Sequence, residues 1–159
     1  MNQRGYTLVE LVIVIAVIGI IAAMALPRIG GWQSDQELQV TARELAAEIR
    51  HLSMNAVNAG SAQAAYSCNI TVTGTNYTVN LYTYNLTTKS VSSVSSRTVA
   101  FPQGISCSTS TGIYFSIDGR PCNAAGAALT ADKTITLRNA TGATTTLSIN
   151  QNTGRVNIS

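Results

Sequence analysis

The sequence holds few side chains capable of chemistry, and one of them is misplaced for an ordinary soluble protein. Glu10 lies inside a run, Tyr6 to Leu26, that is otherwise apolar except for Thr7. An acid in an apolar span costs a few kcal/mol unless it is paired or neutralised. No basic residue follows Gly5 until Arg28, so an ionic partner must come from elsewhere. One partner is a free α-amino group, produced if the chain is cut after Gly5 and begins at Tyr6. The alternative is an interfacial carboxylate that snorkels to headgroups. The other reactive groups are sparse. Cys68, Cys107 and Cys122 have no C-x-x-C spacing, and the single His51 lies beside a helical apolar stripe, which argues against a zinc site. There is no G-x-S-x-G motif and no Gly-rich phosphate loop. The two carboxylates after residue 60, Asp118 and Asp132, fall in expected turns, where Asp is common. These residues point away from an enzyme and require no cofactor or metal.

The element that must hold Glu10 is a helix. From Tyr6 to Leu26 it would be about 31 Å long at ~1.5 Å per residue, enough to cross a bilayer core. The five-residue leader, the length of the run and the internal acid distinguish it from a cleavable secretory signal. Pro27, then Gly30 and Gly31, predict that the helix ends or kinks near Leu26. A second helix is expected from a capping box, Ser34-x-x-Glu37. Leu38, Ala42, Leu45, Ile49, Leu52 and Ala56 place one apolar stripe on it, and Gly60 is a plausible stop.

After residue 60 the period falls to two. A hairpin is expected from Tyr66 to Tyr84 around "GTN". The stretch "NLTTKSVSSVSS" reads as a polar connection or edge. Further strands are expected at "RTVAF", "IYFSI", "KTITLR", "TTTLSIN" and "RVNIS". That makes roughly seven short strands, consistent with two packed antiparallel sheets. The fold expected is α+β, with a long N-terminal helix, one half in the membrane and one half amphipathic, packed on a two-sheet β domain. The divisions are 1–5 leader, 6–27 membrane segment, 28–60 amphipathic helix and 61–159 β-rich domain.

The N-terminal residues resemble a known signal. Gly5-Tyr6-Thr7-Leu8-Val9-Glu10, followed by the apolar run and Pro27, is similar to the class III signal of type IV pilins and type II secretion pseudopilins. Tyr6 stands where that family usually has Phe. The resemblance implies that a prepilin peptidase cuts between Gly5 and Tyr6 and methylates the new amino terminus on Tyr6. It implies that Glu10 is the assembly carboxylate, pairing with the terminal ammonium of a neighbouring subunit in a filament. It also implies that the segment from Gly19 to Pro27 is the part of the helix that can unwind on packing.

A second, looser resemblance lies in the tail. Phe115, Gly119, Ile135, Leu137, Gly154, Arg155 and Val156 are similar to the C-terminal half of the GspH/FimT-type pseudopilin domain. Major pilins close a C-terminal loop with a disulfide, whereas here 37 residues follow Cys122. Both features imply a minor pilin or pseudopilin at the initiation or tip of a filament. It would start in the bacterial inner membrane with its β domain in the periplasm. Its partners would be other pilin subunits, the prepilin peptidase and membrane lipid.

Cys107 and Cys122 are the expected disulfide pair, closing a loop that would contribute ~3 kcal/mol in the loop-entropy account. Cys68 would stay free. Residues 61–159 carry Lys89, Arg97, Arg120, Lys133, Arg138 and Arg155 against Asp118 and Asp132, a net +4. Such a balance permits an anionic partner. The alternative function is therefore a FimT-like minor pilin that binds DNA for uptake, with Arg120, Arg138 and Arg155 as the contacts. The terminal Gly154-Arg155 motif has one Arg where DNA-binding members tend to show two, which weakens that alternative.

Overall fold

The computed structural model describes residues 7–58, 68–85 and 90–159, the side chains of 25–30, 58, 83–85 and 90–94 excepted. One helix, α1 (Leu8–Asn58), leads into nine strands: β1 (Cys68–Thr73), β2 (Asn76–Asn85), β3 (Ser90–Ala100), β4 (Ser106–Cys107), β5 (Thr111–Phe115), β6 (Pro121–Cys122), β7 (Lys133–Arg138), β8 (Thr144–Ile149) and β9 (Val156–Ile158). All strand pairings are antiparallel. They form a five-stranded sheet in the order β3-β2-β1-β5-β6 and a four-stranded sheet in the order β4-β7-β8-β9. The architecture is the expected α+β arrangement of a long helix with two antiparallel sheets.

The helix differs from expectation in one respect. Of the end or kink expected near Leu26, the end does not occur, and α1 continues past Gly19, Pro27, Gly30 and Gly31. Ending there would orphan up to four carbonyls beside an apolar run, whereas passing through Pro27 forfeits one backbone donor. Ser34 and Glu37 consequently lie within α1 and cap nothing. The helix that does begin, at Leu8, is capped by Thr7. Its hydroxyl oxygen accepts the Glu10 N–H at 3.3 Å.

The two halves of α1 have opposite surroundings. Every residue from Leu8 to Met24 is exposed. In the second half the expected stripe is buried: Leu38, Ala42, Leu45, Ile49, Leu52 and Ala56 are at most 2% exposed. It shares one core with Ile70, Val72, Ile113 and Phe115 of the larger sheet and with Ile135, Leu137, Leu147 and Ile149 of the smaller. Inward residues alternate along β7 and β8, as period-two patterning requires. Polar contacts set the register of helix on sheet. Asn139 Nδ2 donates to Asp35 Oδ1 at 2.7 Å, Arg50 Nη2 to the Val156 carbonyl at 2.9 Å, and Ser53 Oγ to the Gly119 carbonyl at 2.8 Å. Arg97 bridges from β3 to Glu48 on the helix at 2.7 Å.

The β1–β2 hairpin forms with Gly74 and Thr75 at its turn. The polar stretch read as a connection or edge contributes to β3, an 11-residue edge strand. The two-residue strands β4 and β6 had no sequence expectation. Periodicity needs more than two residues to be visible, and both are held by neighbours already in place.

The expected Cys107–Cys122 disulfide is not formed, and all three cysteines are free and buried. The topology explains why. The Cys107 N–H donates to the Gly74 carbonyl, at one end of β1. Cys122 pairs with Tyr114, which pairs with Asn69 at the other end of β1. Five residues of strand separate those ends, about 17 Å at ~3.3 Å per residue, far beyond the ~7 Å Cα limit for a disulfide.

Candidate functional site

The first turn of α1 is the candidate site. Thr7, Leu8, Val9 and Glu10 form a Thr-x-x-Glu start, in which Thr7 supplies the cap and Glu10 stands in the first turn. The positive end of the helix dipole favours an acid there. Glu10 is exposed and, with Leu11, Val14 and Ile15, lines a shallow notch that is otherwise apolar. No ion pair to Glu10 occurs among the described residues. The chemistry available is therefore acceptance of a cation or N–H donor beside an apolar ridge. Gly5 and Tyr6 lie outside the described residues. Thr7 is the residue that sequence reasoning missed, although the capping-box pattern was present in the motif itself.

Gly19 lies in the exposed half, and a Cβ there would meet nothing within 4 Å. Nothing in the subunit's own packing requires glycine at that position.

The basic candidates do not form one patch. Arg120 is paired with Asp118, with Nε 3.3 Å from Oδ2. The Ser116 hydroxyl donates to the same carboxylate and is the main reason its pKa is lowered. The turns carrying Arg120 and Arg155 do meet, because a Cβ on Gly154 would sit 3.4 Å from both the Gly119 carbonyl and Pro121 Cδ. Arg138 is elsewhere. Its guanidinium lies beside Gly142, at the end of β7 opposite the Gln151–Arg155 turn. The Asp118–Arg120 turn also borders an open cleft of about 450 Å³ with Gln151, Asn152 and Cys122.

Cys68 and Cys122 are not poised for reaction. Burial, and secondarily the nearby Cys122, pushes the Cys68 thiol up to about 12, and its Sγ donates to the Leu52 carbonyl at 3.2 Å. Burial, then Asp118, raises Cys122 to about 11. Thiolate is the reactive form, so both are inert at neutral pH. His51 is exposed and contacts Asn55, one turn on, at 3.3 Å. Among the described residues no cluster of three His, Cys, Asp or Glu side chains could hold a metal ion.

With this geometry in place, comparison with known proteins defines a class. Residues 1–26 match the prokaryotic N-terminal methylation motif, the signal of type IV pilins. The chain is 51% identical over 45 residues to the type IV major alpha-pilin of Moraxella bovis, 28% of each protein's length. It is likewise 51% identical over 45 residues to fimbrial protein Q of Moraxella bovis, 28% of this chain and 29% of that protein. The match thus spans less than a third of the length of either relative. No solved structure matches. The chain is type IV pilin-like, carrying the methylation motif on a helix whose first half is exposed.

Proposed function

We propose that this chain is a minor pilin or pseudopilin of the GspH/FimT type, a structural subunit of a type IV pilus or type II secretion filament. It acts at the initiation or tip of the filament. The observation that carries this reading is the union of the methylation motif with an apolar helix half that is exposed all round and continuous with a half docked on the sheets. A helix that is apolar on every side belongs in lipid or in a helical bundle, and a filament precursor needs both in turn.

Membrane anchorage is part of the proposal. No helix among the described residues is long and apolar enough to cross a membrane. The stretch with described side chains, Leu8–Met24, covers ~25 Å at ~1.5 Å per residue, short of a ~30 Å hydrocarbon core. The apolar sequence continues to Leu26 and begins at Tyr6, which supports a full single span in the inner membrane, followed by a periplasmic or extracellular filament. The divisions 1–5, 6–27, 28–60 and 61–159 are functional ones within this proposal, since α1 itself has no break between 27 and 28. Unwinding between Gly19 and Pro27 would belong to packing in the filament, where a helix lacking a side chain at 19 and a donor at 27 resists least.

In the proposed cycle the prepilin peptidase cuts between Gly5 and Tyr6 and methylates Tyr6. The ammonium of one subunit then meets Glu10 of another within the apolar bundle. Pairing relieves the cost of an isolated acid in lipid, so assembly gains what the monomer lacks. Intact-mass measurement of the native protein should show loss of Met1–Gly5 and one added methyl group. Glu10→Ala should leave processing and insertion intact but strip the subunit from sheared filaments. Retained Met1–Gly5, or normal incorporation of the variant, overturns the assignment.

A DNA-binding minor pilin is the second reading, favoured by the contact between the Arg120 and Arg155 turns. The Asp118 pair on Arg120 and the remote Arg138 weigh against it. Phosphate binding should fall steeply with salt. A gel shift with duplex DNA near physiological salt, lost in Arg155→Ala, would promote this reading, and no shift dismisses it.

A further inference from the structure

We infer that Trp32 is an interfacial anchor, seated in the lipid headgroup layer while the subunit waits in the membrane. The inference rests on the single-span reading above and adds the depth at which the helix stops. Trp32 is 65% exposed on α1, and it is the chain's only tryptophan. Its indole finds no place in the core that takes up the helix from Leu38 onward.

Its height along the helix is what identifies the occupant. Trp32 lies six residues past Leu26, where the apolar run ends. At ~1.5 Å per residue its Cα stands ~9 Å beyond that end. Helical side chains lean toward the helix N-terminus and cover the preceding turn, so the indole is drawn back below its own Cα. The headgroup region adds ~5–7 Å outside the hydrocarbon core on each side, and the leaning ring falls within it. Tryptophan favours this layer because its ring is apolar while its N–H requires a polar partner.

Among the described residues, the globular body leaves that space open. The first side-chain hydrogen bond between α1 and the β region among the described residues is at Asp35, from Asn139, followed by Gln39 Nε2 to Thr145 Oγ1 at 3.0 Å. Docking thus begins three residues, or ~4.5 Å, above Trp32. The ring occupies the collar between bilayer and body, and the unbroken helix transmits its depth to the body's height above the lipid.

As the only tryptophan, Trp32 reports its own depth. The full chain is reconstituted at low protein-to-lipid ratio into phosphatidylcholine–phosphatidylglycerol vesicles and recovered by flotation. Lipids brominated near the headgroup end of the acyl chain should quench its emission more strongly than lipids brominated near the methyl end. The emission should be blue-shifted and protected from aqueous iodide. A protein that floats with water-like emission open to iodide overturns the inference and leaves the anchor standing. A blue shift that grows with protein-to-lipid ratio also overturns it, because a second subunit would then be covering the ring. Failure to float removes the anchor reading and this inference together.

Discussion

Glu10 has two independent reasons to be where it is. Within the subunit it stands in the first turn of a helix capped by Thr7, where the helix dipole favours its charge. In the proposed assembly it is the carboxylate beside an apolar notch that takes the ammonium of a neighbouring subunit. The first role belongs to the monomer, and the second is the one the proposed function adds. Gly119 shows a different kind of constraint. Its φ is +77°, and a Cβ there would lie 2.8 Å from Val57 Cγ2 and 3.0 Å from the Ser53 carbonyl. Both backbone strain and overlap therefore oppose any side chain. Gly119→Ala should destabilise the fold by about 2 kcal/mol or more, read as a lower chemical-denaturation midpoint. A midpoint equal to wild type would mean that the turn and the end of α1 move apart at little cost.

The two halves of α1 should respond differently to the same chemical change. Leu45 is fully buried in the shared core, so Leu45→Ala loses transfer energy and leaves a cavity, a cost of about 2–5 kcal/mol. Val14 is 52% exposed in the free half, so Val14→Ala should leave the denaturation midpoint within about 0.5 kcal/mol of wild type. Equal losses at both sites would show that the first half is packed in the isolated subunit. The edge strand β3 illustrates how an element can be weakly encoded. Its Ser-rich stretch has little hydrophobic alternation, yet ten registered partners on β2 hold it in the larger sheet. Backbone pairing with a neighbour supplied the order that its own side chains do not encode.

The molecule is one folded body carrying a projecting apolar helix. Among the described residues, the body's core takes residues from α1 only from Leu38 onward, and the hydrogen bonds from α1 to the β region begin at Asp35. A fragment covering 33–159 should therefore be soluble and monomeric, with mixed helix and strand signals in circular dichroism. Its denaturation midpoint should match that of the full chain in mild detergent. Aggregation without a strand signal would show that the projecting half supports the body. Under the proposed function, the same division assigns membrane and filament contacts to the first half and any ligand of the β region to the second.

The sequence by itself determined the N-terminal methylation motif, the apolar run, the buried stripe of the helix and most strands. Each is written as a local pattern: a short motif, a composition, or a period of 3.6 or 2. The turns at Gly119 and Gly154 come into contact in the structure, which spacing along the chain does not encode. Only the tertiary structure decided that the helix continues through Pro27 and bypasses the Ser34 capping box. It alone separated Cys107 from Cys122, and Arg138 from the turns of Arg120 and Arg155. Strand order and register set such distances, and neither is encoded in the spacing of residues along the chain.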